Sequence, residues 1–262
     1  RVQGPEPFLK QERPITEFSP DFYATDAFTE NAVQQIETYA NAADKAPFFL
    51  HLTYTAPHYP LHAKPKDIAK YEGRYRDGYF AMREKRMERL VDLGLIAPGA
   101  SLSKPDPQTS QLRYDYAITP WEKVANLPRE NRRMEVYAAM VDSMDQGIGR
   151  VLDALERTGI SDNTIVMFLS DNGGCASHSG DFHEEVRKGH EAYNKELPGG
   201  VDTYDYVAQG WGWAQNAPFR RYKVWTHEGG ISTPMIARWP RVVRPGSVSH
   251  QVGHVVDFMP TL

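Results

Sequence analysis

A carboxylate, an amide and two glycines stand in a row at Asp171-Asn172-Gly173-Gly174. They directly follow the run Ile165-Val166-Met167-Phe168-Leu169-Ser170. A run of this composition suits a buried parallel strand. Open α/β sheets gather their ligands beyond the carboxyl ends of such strands. Asp171 and Asn172 offer the oxygen donors that a hard cation such as Ca²⁺ or Mg²⁺ takes, and the glycines let backbone come close. The same four residues could instead form an Asx turn that closes the strand by satisfying local amides. On this run alone both readings stand.

Two more stations hold residues able to do chemistry. Ala56-Pro57-His58 follows the run 47–54, which reads as a strand. Lys223 precedes His227-Glu228-Gly229-Gly230 and a short strand at Met235–Trp239. A histidine can give a proton near neutral pH, or His58 can simply bond backbone in its proline-bounded turn. Lys223 is a compact cation with three donors, or a solvated surface lysine. Glu228 reads as fixing the Gly-Gly turn, and His227 as a neighbour of the site or a structural hydrogen-bonding group. Trp211, Trp213 and Tyr206 fit a substrate pocket or packing beneath a loop, and Asn216 and Arg220 stay equally open. Cys175 is the one cysteine, so no intrachain disulfide can form. With no base or helix start beside it, it reads as a small thiol rather than a nucleophile.

Helices and loops must hold these stations. The pattern predicts a helix from an N-cap at Thr29 to about Ala43, one over 66–71 and one over 77–93. A long amphipathic helix follows over 130–158, bent near Gly147 and Gly149 and stopped by Gly159. Residues 95–130 and 175–222 read as long surface or pocket loops. Helix–strand alternation favours an α/β fold. Hydrophobic residues are 40% and charged residues 24% of 262, as in a globular domain with a substantial core. A net charge of −4 argues against a nucleic-acid surface. There is no apolar stretch of about 18 residues to span a membrane, and no signal peptide. The chain opens at Arg1-Val2-Gln3 and closes at Met259-Pro260-Thr261-Leu262 within an apolar pattern, so both ends read as cut.

The three stations, in this order and spacing, resemble the sulfatase family, in particular its bacterial arylsulfatase-like members in the alkaline-phosphatase-like superfamily. Arg76-Asp77-Gly78-Tyr79 and Val256-Asp257-Phe258-Met259-Pro260-Thr261 fit as well, so the resemblance covers nearly the whole chain. It implies a mixed, mostly parallel sheet flanked by helices and incomplete at both ends. It also implies hydrolysis of a sulfate monoester, on a small molecule or a carbohydrate, and a periplasmic or secreted setting. Carried over by residue, Asp171 and Asn172 would be two ligands of the catalytic Ca²⁺, and Asp171 would help activate the nucleophile. His58 would face the leaving-group oxygen, and Lys223 would hold the sulfate oxygens. Trp211, Trp213 and His227 are the candidates for contact with the rest of the substrate.

Family members use a formylglycine made in a Cys-x-Pro/Ala-x-Arg motif, which Cys175-Ala176-Ser177-His178-Ser179 does not match. The family's paired aspartates and its Lys-x-His station are also not found here. Residues 1–262 therefore read as the central part of the catalytic domain. The formylglycine is expected in a missing N-terminal part, and the C-terminal subdomain is also missing. On this reading the chain alone is inactive and binds metal weakly or not at all. Two alternatives remain. One is a phosphodiesterase or phosphonate hydrolase of the same superfamily. The other is an inactive binding module that docks on a complementing N-terminal segment, which predicts exposed apolar surface where first strands would sit.

Overall fold

The computed structural model describes residues 8–10, 12–44, 46–109, 115, 117–178, 184, 188–189 and 195–262. A two-stranded antiparallel ribbon, β1 (Leu9–Lys10) and β2 (Arg13–Pro14), leads into helix α1 (Ala24–Asn41). Helix α1 starts five residues before the expected cap. Thr29 lies buried inside it instead, its hydroxyl donating to the Thr25 carbonyl at 2.8 Å and sharing a hydrogen bond with the Tyr54 hydroxyl at 2.8 Å. Two helices follow close to expectation, α2 (Pro65–Ala69) and α3 (Gly78–Asp92).

Helix α4 (Leu127–Arg157) is the spine of the molecule. The Asn126 side chain caps it by accepting the Arg129 N–H, and Pro128 sits in its first turn, where a missing N–H does no harm. It ends at Gly159, at φ +72°, with Ile160 N–H donating back to Leu155. The helix is continuous through both interior glycines. Gly147 serves helix packing: a Cβ there would lie 2.4 Å from Thr29 Oγ1. Its bare backbone lets α1 lie against α4.

Two expectations about strands are corrected. Strand β3 (Val166–Leu169) pairs antiparallel with β4 (Met235–Arg238), Val166 opposite Arg238 and Leu169 opposite Met235. It is not a buried parallel strand: Phe168 is 40% and Leu169 38% exposed. The partner sets the direction of a strand, and composition alone does not encode it. Residues 47–54 form no ladder among the described residues, and Phe49 is 73% exposed. The segment walls an open cleft of about 2790 Å³, with β3 and the apolar face of α4 (Met140, Met144, Ile148) as the other walls.

The main core also packs on α4 and meets the cleft at Tyr137 and Met140. Leu61, Ile68, Tyr79, Val136, Ala139, Trp211 and Tyr222 pack there, while Ile36, Ala154 and Leu155 form a second cluster between α1 and α4. The expected loop 175–222 contains helix α5 (Ala208–Gln215), which brings Trp211 and Trp213 into the main core.

Candidate active site

The Asp171–Gly174 turn leaves β3 and meets a second loop, residues 216–230, backbone to backbone. Gly173 N–H donates to Gly230 O at 3.0 Å, and Lys223 N–H donates to Gly174 O at 3.1 Å. Within the second loop, Gly229 N–H reaches Arg220 O at 2.9 Å and Gly230 N–H reaches His227 O at 2.7 Å. Only glycine permits this approach: a Cβ on Gly173 would lie 1.8 Å from Gly229 O, and one on Gly230 would lie 1.9 Å from Trp225 O. The two stations that sequence placed fifty residues apart are thus one unit.

The carboxylate of Asp171 is exposed and takes part in no hydrogen bond or ion pair among the described residues. Asn172 Nδ2 donates to Gly173 O at 2.9 Å, which leaves its Oδ1 unspent. Ser170 Oγ donates to Asn172 O at 2.9 Å, and Thr233 Oγ1 donates to Ser170 O at 3.0 Å, so the turn is braced from both strands. Two adjacent, uncommitted oxygen donors suit a hard cation but supply only part of the six to eight it takes. Among the described residues no group of three or more His, Cys, Asp or Glu side chains could hold a metal.

Lys223 is half-buried and has no carboxylate partner among the described residues. Its backbone is held in a strained stretch: Arg221 and Val224 have φ of +65° and +86°. For a β-branched residue such as Val224 this is a true outlier, the kind of strain that collects at functional sites. Its other neighbours are structural. Arg221 is buried, pairs with Asp106 at 3.0 Å and Asp115 at 3.1 Å, and lies 4.1 Å over the Trp225 ring. Arg220 also pairs with Asp106, which raises its pKa.

His58 shares the cleft with Asp171, Asn172 and Cys175. Its Nδ1 lies 2.8 Å from the Tyr59 carbonyl. A carbonyl can only accept, so Nδ1 carries the hydrogen and Nε2 is the nitrogen left for a ligand. The Tyr59 ring in turn packs on buried Tyr206 at 4.6 Å. Cys175 is half-buried, with Sγ 3.1 Å from Ser177 Oγ.

The remaining candidates lie elsewhere. Trp211 and Trp213 are buried in the core rather than lining the cleft, and Trp211 Nε1 donates to Glu130 O at 2.9 Å. His227 packs its ring 5.8 Å from Trp225, its Nδ1 buried without a partner among the described residues. Asn216, one of the open candidates, is buried and bonds Gly174. Its signal in sequence is slight, an amide two residues before Pro218. His178 is among the described residues and His183 lies outside them.

A profile of the Sulfatase family matches residues 3–262, and the chain belongs to that family. It is 34% identical over 247 residues to an uncharacterized sulfatase of Schizosaccharomyces pombe, covering 92% of this chain and 43% of that one. It is 31% identical over 246 residues to the arylsulfatase of Klebsiella aerogenes, covering 92% and 50%. The chain thus spans about half the length of the curated relatives it matches. The crystal structure of Ps i-CgsB in complex with k-i-k-neocarrahexaose superposes with a TM-score of 0.51 at 24% identity, over 92% of this chain and 33% of that one. The fold is accordingly the alkaline-phosphatase-like one, seen here as a partial α/β domain of helices around a small sheet. No described helix is long and apolar enough to cross a membrane.

Proposed function

We propose that this chain builds one side of the active centre of a sulfuric ester hydrolase of arylsulfatase type. The observation that carries the reading is the backbone junction at Gly174, which ties the Asp171-Asn172 turn, on the wall of the cleft that also holds His58, to the backbone of Lys223. A sulfate monoester needs cationic groups around its non-bridging oxygens and a proton for its leaving oxygen. Lys223 meets the first need with a compact charge. His58 meets the second as its imidazolium: Nδ1–H stays on the Tyr59 carbonyl, and the proton carried on Nε2 passes to the leaving oxygen. Asp171 and Asn172 Oδ1 would hold Ca²⁺, which when bound adds positive charge at the sulfate oxygens. The formylglycine expected by family resemblance has no motif in this sequence, Cys175 included, and among the described residues no further group of side chains completes a metal site. The substrate is a small-molecule or carbohydrate sulfate ester, and the setting periplasmic or secreted.

In a polypeptide that carries this segment and turns over 4-nitrophenyl sulfate with Ca²⁺, Lys223→Ala lowers turnover by about 100-fold or more, the usual loss for one preorganised charge donor. Unchanged turnover removes Lys223 from the site. The 262 residues alone are expected to stay at background, and family-like rates would refute the missing nucleophile. Hydrolysis of bis(4-nitrophenyl) phosphate without sulfate turnover would favour the phosphodiesterase alternative. A second reading, a module that docks a complementing segment, draws on the unladdered run 47–54 and the exposed Phe49 and Phe168 across the cleft. It predicts capture of an added apolar strand with loss of dye binding at the cleft.

A further inference from the structure

We infer that Asn216 is a positioning residue that sets the spacing between the Asp171-Asn172 turn and Lys223, an inference that rests on the sulfatase reading of those groups. The Asn216 side chain is buried, at 8% exposure. Its Oδ1 accepts the Gly174 N–H at 2.9 Å, and its Nδ2 donates to Gly174 O at 3.3 Å and to Gly212 O at 2.6 Å. One amide therefore grips both polar groups of the Gly174 backbone and ties them to α5, itself anchored in the core by Trp211 and Trp213. The same Gly174 carbonyl also accepts the Lys223 N–H. Both of its acceptor sites are used, one from the core side and one from the lysine loop.

Few side chains can do this. Asp keeps the acceptor for Gly174 N–H but sets an anionic oxygen against the carbonyls of Gly174 and Gly212. Gln adds a methylene where a Cβ on Gly173 would already lie 2.8 Å from Oδ1. Ser lacks the second arm. Asn216 touches no reacting atom in this scheme. It acts through Gly174, holding two groups at the separation that one sulfate ester must bridge. Misplacement by about 1 Å costs about 100-fold in rate.

Two measurements test the inference, one of them blind to activity. In this chain, amide hydrogen exchange at Gly174 and Lys223 should rise together in Asn216→Ala, each by about tenfold for one lost hydrogen bond, with α1 and the first turns of α4 unchanged. Asn216→Asp, a smaller change in shape, should release Lys223 while Gly174 N–H stays partly protected. Exchange that rises at Gly174 alone, or everywhere, overturns the coupling. In an active polypeptide carrying the segment, Asn216→Ala should lower kcat for 4-nitrophenyl sulfate by about 100-fold and raise the Ca²⁺ concentration needed for half activity. Ile36→Val, a destabilising control in the second core cluster, should leave both unchanged below its melting point. Unchanged kcat and Ca²⁺ dependence in Asn216→Ala overturns the positioning role. A longer polypeptide that carries this segment together with a formylglycine motif and is inactive on every sulfate ester refutes the sulfatase reading instead, and the exchange data still decide the coupling.

Discussion

Replacing Arg83 with methionine should loosen the site from a distance. Arg83 is fully buried on α3, yet among the described residues no carboxylate pairs with it. Its guanidinium lies 4.0 Å over the Trp213 ring and donates to the carbonyls of Trp213, Pro218 (3.2 Å) and Phe219 (3.2 Å), and to Ser103 Oγ (2.8 Å). Burial pushes its pKa down to about 10, which still leaves it a cation at neutral pH. Arg83→Met removes these hydrogen bonds at about 0.5–1.5 kcal/mol each, because the carbonyls of Trp213, Pro218 and Phe219 keep Asn216 N–H, Ser103 N–H and Ser103 Oγ as donors, and it removes a desolvated cation–π contact of about 2 kcal/mol. Part of this returns because an unpaired buried cation is itself costly. A net loss of about 2–4 kcal/mol follows once non-additivity among neighbours is allowed for. At about 2–4 °C per kcal/mol for a chain near this size, Tm should fall by about 5–15 °C. Differential scanning calorimetry gives the number, and hydrogen exchange should place the loosening at 213–223. Arg83→Lys should recover only part, since a compact ammonium cannot lie flat on the Trp213 ring while reaching acceptors from two separate nitrogens. A methionine variant within about 0.5 kcal/mol of wild type, the range of inert surface changes, would refute the idea that this cation organises the loop.

Two further outcomes can be checked by unfolding experiments. Gly149 has open space where its Cβ would stand, so Gly149→Ala should stabilise α4 by about 0.5–1 kcal/mol. Gly147→Ala should destabilise by about 1–3 kcal/mol because its Cβ meets Thr29 Oγ1 and Tyr54 Oη. Equal effects in urea melts would contradict the α1–α4 contact. His62 donates Nε2–H to Thr203 O, and burial holds its pKa below the usual histidine value despite that bond. The unfolded chain therefore binds more protons between the folded pKa and about 6.5. Its contribution is complete above about 6.5 and is lost as pH falls through that window. His62→Gln should flatten this slope in denaturant titrations from pH 7 to 5, and an unaltered slope would assign the effect to another group.

What sequence alone made legible was periodicity and punctuation. Helix α4 was readable because its apolar positions recur at 3.6 residues and Gly159 ends it; α2 and α3 were readable for like reasons. Helix α5 was not, because Trp211, Trp213 and Ala214 make a short helix buried on all sides, with no polar face to set a period. Thr29 misled because its hydroxyl serves the carbonyl four residues back as readily as it serves a helix start. Residues 47–54 have strand composition, but a strand exists only with a partner beside it. At the site, the types and order of His58, Asp171, Asn172 and Lys223 were visible. The junction through Gly174 and Asn216 was not, since contacts between residues 42 and 49 apart leave no local pattern.

The placement of the main core has a consequence for the order of folding. The Gly174 junction is fastened to α5, and α5 packs on α3 and donates from Trp211 Nε1 to Glu130 O of α4, within a core cluster that holds no residue of the β3–β4 ladder. Helical contacts form early and nonlocal strand pairing late. The contacts that fix the loops bearing Asp171 and Lys223 span 42 and 49 residues, fewer than the 66 to 72 of the β3–β4 pairs, so loop closure costs less at the junction than in the sheet. A slow or faulty closing of the sheet would then delay access to the cleft without disturbing the spacing of the loops joined at Gly174.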